Sequence, residues 1–107
     1  RRYIPVAATD QENFALARSV PGSLSVALLV QLRTEGDALA AVPLDGVVPS
    51  LAAFEAGAYG LAMELRVIVA ARPNSVTARF LAFLRGARAA AILREAGAIP
   101  IDLPAEF

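Results

Sequence analysis

The sequence predicts an α/β fold: a mixed sheet with flanking helices. Two runs, 24–32 and 59–71, place apolar residues at every second position, the alternation of a half-buried strand. The stretches 10–19 and 76–96 instead space their apolar residues as helices do. Turn residues separate these pieces, giving the order β-α-β-β-α-β-α-α.

The first element is an apolar opening, Ile4-Pro5-Val6-Ala7-Ala8, read as a strand. Thr9-Asp10-Gln11-Glu12 is a capping box, in which Thr9 accepts from an amide three residues on and Glu12 reaches back. A helix over 10–19 follows, burying Phe14, Ala17 and Leu16, and Pro21-Gly22 stops it. In the next strand Leu24, Val26, Leu28, Val30 and Leu32 share one face. Thr34-Glu35-Gly36-Asp37 marks a turn, and Leu39 to Leu44 is extended, with Pro43 making it an edge strand or the end of one. Asp45-Gly46 is a second turn, Pro49-Ser50 opens a short helix through Phe54, and Gly57 ends it. The strand from Tyr59 to Ala71 carries Leu61, Met63, Leu65, Val67 and Val69 on one face, with Glu64 and Arg66 able to pair on the other. Ser75 is the expected N-cap of the first of two helices, 76–85 and 87–96, broken at Gly86 and closed by Gly97. Phe80, Phe83, Leu84, Ala87 and Ala91 form their apolar stripe, and the tail from Ile99 to Pro104 is extended.

Composition narrows the function classes. The chain has 107 residues, 57% hydrophobic and 19% charged, which suits one packed domain and not a disordered tail. Ten arginines balance ten acids, so the basic footprint of a nucleic-acid binder is missing and no nucleic-acid partner is expected. With no Cys and no His there is no disulfide, no thiolate or imidazole chemistry, and no expected metal site or cofactor. The longest apolar run, 24–32, is shorter than the roughly 20 residues of a membrane-spanning helix. The opening Arg1-Arg2-Tyr3, without Met, predicts a chain that is processed or cut from something longer.

Four short segments carry a resemblance. Pro21-Gly22-Ser23-Leu24-Ser25-Val26, Leu44-Asp45-Gly46-Val47-Val48-Pro49-Ser50, Gly57-Ala58-Tyr59-Gly60-Leu61 and the stretch from Phe80 to Pro100 occur in the order found in periplasmic phosphate-binding proteins of ABC importers. The chain resembles the C-terminal portion of such two-lobed receptors, with 1–44 similar to the second lobe and 58–107 to the first. The resemblance implies capture of phosphate or a similar oxyanion by lobe closure, delivery to a membrane permease, and a periplasmic or extracellular bacterial location. The Ser-Gly-Thr turn that grips the anion in that family is missing here. Ser25-Val26, Gly60 and Met63-Glu64 also depart from the family pattern, leaving open another solute or a chain that has lost transport.

The candidate ligand-binding residues are Ser23, Ser25 and Tyr59. No catalytic residue is expected, because no serine or threonine has a histidine base and no carboxylate pair has a spacing suited to acid–base work. Asp10 and Glu12 are explained by capping, and Arg79, Arg85, Arg88 and Arg94 by a solvated helix face. The alternative from another class is a small effector-sensing or protein-interaction domain. If the chain is half of a two-lobed fold, the apolar run from Tyr59 predicts self-association or pairing with a missing N-terminal part, whereas a clean monomer would favour the alternative.

Overall fold

A computed structural model describes residues 4–36 and 38–101. Its elements, in chain order, are α1 (Asp10–Ser19), α2 (Leu29–Thr34), α3 (Leu51–Glu55), α4 (Ser75–Leu84) and α5 (Ala87–Ala96). The α/β expectation is therefore overturned: among the described residues there is no strand and no sheet, only one isolated bridge between Leu44 and Val47. Residue 37 of the expected turn and residues 102–104 of the expected tail lie outside the described set.

Local signals account for four of the helices. Thr9 caps α1 by accepting from the Glu12 amide at 3.2 Å, and Glu12 Oε2 reaches back to the Ala8 amide at 2.8 Å. The chain then turns at Val20–Ser23, with Pro21 second and Gly22 at φ +74° third, the pattern of a type II turn. Ser50 caps α3 through the Ala53 amide. Gly57, at φ +72°, closes α3 while the Ala58 amide donates six-to-one to the Ala53 carbonyl. Helix α5 closes in the same way at Gly97, where the Ala98 amide donates to Leu93.

The cap of α4 lies one residue earlier than the sequence suggests. Asn74 Oδ1 accepts from the Thr77 amide at 2.9 Å, and Ser75 is already the first helical residue. Asn74→Ala is expected to cost about 1 kcal/mol in urea denaturation, and Ser75→Ala no more than about 0.5 kcal/mol. The reverse order would return the cap to Ser75.

The missing strands have identifiable causes. The run Leu28-Leu29-Val30-Gln31-Leu32 is apolar at adjacent positions, so it fits either period. Tertiary bonds decide for helix: Gln31 Nε2 donates to the Asp10 carbonyl at 2.8 Å, and Arg33 donates to the last carbonyls of α5. The Leu44–Val47 hairpin is a two-residue Asp-Gly turn with φ +49° and +78° at its centre, the type I′ signature. Its next hydrogen-bonded pair would join Val42 to Pro49, which has no N–H, so the ladder stops at one bridge. With 29–34 helical and 44–47 in a turn, the 59–71 run has no internal strand to pair with. The opening 4–8 is likewise unladdered.

Both α4 and α2 pack against α5. The core is small: Phe14, Leu81 and Ala89 are the buried hydrophobic side chains among the described residues, each 3% exposed or less. Phe80 and Phe83 were expected inside; their rings stack at 6.4 Å but stay about half exposed. The inward face of α4 is one position round, on Leu81 with half-buried Thr77 and Leu84, an i, i+4, i+7 set. The radius of gyration is 17.1 Å, against about 13 Å for a compact chain of this length. The accessible surface of 8871 Å² compares with roughly 5,700 Å² for a folded monomer of this mass.

Candidate functional site

The two candidate serines are engaged in holding α1 to the segment that follows it. Ser23 Oγ donates to the Ala17 carbonyl at 2.9 Å, satisfying an orphan acceptor of the last turn. Ser25 Oγ donates to Asn13 Oδ1 at 2.6 Å, while Asn13 Nδ2 donates to the Val26 carbonyl at 2.8 Å. Asn13 thus fastens 25–26 along α1 as a strand neighbour would, but through a side chain. Tyr59 lies beyond α3, half-buried, its amide donating to Ala53 at 3.1 Å. The structure therefore brings Ser23 and Ser25 together on α1 and leaves Tyr59 with α3. The three residues do not converge on a cradle for an anion.

Arg33 and Arg94 make the polar contacts that tie α2 and α3 to α5. Arg33 Nη1 donates to the Glu95 carbonyl at 3.1 Å and to the Arg94 carbonyl at 3.4 Å, capping α5 from α2. Arg94, expected on a solvated face, makes an ion pair with Glu55 that ties α5 to α3. Both partners are nearly half exposed, so the pair contributes at most about 1 kcal/mol. A basic residue six positions into a short apolar run was the available signal for Arg33, but its partner lies 61 residues away. A shallow apolar depression beside α1 is lined by Val6, Ala7, Glu12, Ala15, Leu16 and Ser19. Its one carboxylate already accepts from Ala8, which leaves little to orient a polar ligand.

The feature with most unspent binding capacity is the segment 59–70. It runs for twelve residues without turn, bend or bridge. Beyond the Tyr59 amide, none of its backbone groups bonds any described residue. Leu61, Met63 and Leu65 are each 65% exposed or more, Val67 is 48% exposed, and Ile68 on the opposite face is 93% exposed. Glu64 and Arg66 pair along one side of the segment at 3.2 and 3.4 Å. An extended, apolar, hydrogen-bond-hungry edge of this length is a template for another polypeptide. Among the described residues no helix is long and apolar enough to cross a membrane. No family model, curated protein or solved structure matches the chain.

Proposed function

We propose that this chain is a polypeptide-binding module that presents residues 59–70 as an edge for a second extended segment. The observation that carries this reading is the combination in that run of unbonded backbone with alternating, exposed apolar side chains. Backbone pairing supplies affinity in such a mode, and the alternating side chains supply selectivity. Helices α2, α3 and α5, joined by Arg33 and Arg94, form the support from which the segment departs at Tyr59. No covalent chemistry enters this function.

The reading as a solute receptor's C-terminal part ranks second. In it the chain would take phosphate or a similar oxyanion outside the cytoplasm and pass it to a permease. Its support is the four sequence matches, of which the Leu44–Ser50 segment has a defined turn-and-cap form here. Its two candidate serines, however, spend their hydroxyls on α1.

The test is binding of the fluorescently labelled chain, at nanomolar concentration, to short immobilised peptides of varied apolar patterning. Peptides that alternate apolar and polar residues are expected to bind. Leu65→Asp, which puts a charge on the contact face, is expected to weaken binding at least tenfold with helical circular dichroism unchanged. Equal binding by Leu65→Asp, or no preference for alternating peptides, would overturn the reading.

A further inference from the structure

We infer that the segment's partner is a second copy of this chain, paired antiparallel about a two-fold axis through Leu65. The inference rests on the polypeptide-binding reading and names its occupant from charge and register. In an antiparallel pair centred on Leu65, residue 64 of one copy lies directly opposite residue 66 of the other. Each Glu64 then faces an Arg66, and this occurs twice by symmetry. Along each strand Glu64 and Arg66 already neighbour one another at 3.2 Å. The four side chains thus form a ring in which every neighbour has the opposite sign.

The apolar residues obey the same symmetry. Leu61 falls opposite Val69, Met63 opposite Val67, and Leu65 opposite itself, so one face of the ribbon is apolar throughout. On the other face Ala62 meets Ile68. Slipping by one position would set Glu64 opposite Leu65 and mix the faces. The neighbouring face-preserving registers centre the pair on Glu64 or on Arg66 and oppose two like charges at the axis. A parallel pair opposes Glu64 to Glu64 and Arg66 to Arg66, and is disfavoured for the same reason. Only the antiparallel register centred on Leu65 sets each Glu64 against an Arg66 of the other copy.

Area is consistent with this assignment. The segment itself supplies exposed apolar surface for the contact, with Leu61, Met63 and Leu65 each at least 65% exposed. A two-stranded ribbon with one apolar face is weakly stable on its own, so the expected dissociation constant is about micromolar.

Sedimentation velocity across a concentration series, combined with cysteine scanning, tests the inference. The chain has no native cysteine, so a single introduced thiol gives an unambiguous reading. Leu65→Cys is expected to form a disulfide-linked dimer under mild oxidation, because directly opposed Cα atoms lie about 4.5–5.5 Å apart, within disulfide reach. Met63→Cys alone is expected to link slowly, and a mixture of Met63→Cys with Val67→Cys readily. Glu64→Arg and Arg66→Glu are each expected to weaken self-association roughly tenfold or more, and mixing these two variants to restore it as a heterodimer. Rescue by mixing shows that neither variant has simply unfolded. A chain that stays monomeric at high micromolar concentration, or a dimer without the position-65 disulfide and the charge rescue, would overturn the inference. If such a chain still captures alternating peptides, the binding reading stands and only the second copy is wrong. If it captures none, both fail.

Discussion

Replacing Phe14 by alanine is expected to abolish the cooperative unfolding transition of this chain. Phe→Ala in a packed site costs about 3–5 kcal/mol, from lost transfer energy plus the cavity left behind. A domain of this size has a total stability of about 5–15 kcal/mol when well packed. This one is not well packed: Phe14 is 2% exposed, and only Leu81 and Ala89 join it among the described hydrophobic residues as buried. The polar ties of α1 give little reserve, because Asn13, Ser23 and Ser25 all bond at exposed sites where net contributions are small. Losing the ring should therefore detach α1 and remove its ten residues from the helical signal. Urea denaturation followed by circular dichroism measures this. A sigmoidal transition displaced by less than about 1 kcal/mol would show that Phe14 is not the anchor of α1.

What could be read from the sequence was the chemistry of helix ends. Thr9 with Glu12, Ser50, Gly57, Gly86 and Gly97 place four helices within a residue or so, because caps and left-handed closures are decided by neighbours a few positions away. What could not be read was whether a period-two run finds a ladder. Leu61 to Val69 alternate as a strand should, yet alternation specifies a face and not a partner. The partner segments were lost to distant effects. Arg33 bonds carbonyls 61 and 62 residues away and draws 29–34 into helix, while Pro49 cuts the Leu44–Val47 ladder. The candidate site failed by the same logic. Ser23 and Ser25 stand in a stretch that resembles a receptor strand, but their hydroxyls bond acceptors on α1 instead. The expected strand from Tyr59 keeps its alternation and lacks its sheet, and that mismatch marks it as the surface to test.

Replacing Gly97 is expected to separate α2 from α5. Gly97 closes α5 at φ +103°, in a region that costs an L-residue about 1–2 kcal/mol. A Cβ there would lie 3.2 Å from both Arg33 Cδ and Leu29 Cγ, closer than carbon atoms comfortably approach. Leu29 is on the helix that must yield, and Arg33 can swing away only by giving up its bonds to the Arg94 and Glu95 carbonyls. Adding this loss to the backbone strain gives an expected cost of roughly 2–3 kcal/mol for Gly97→Ala. Arg33→Ala tests Arg33's part in this, because it removes the cap and the Arg33 share of the crowding while leaving Leu29 in place. If crowding matters, the double variant should lose less stability than the sum of the single ones, with a coupling of about 0.5–1 kcal/mol or more. Strictly additive costs would confine the role of Gly97 to its backbone angle and its approach to Leu29. A cost below about 0.5 kcal/mol for Gly97→Ala would mean that α2 does not dock at the end of α5 at all.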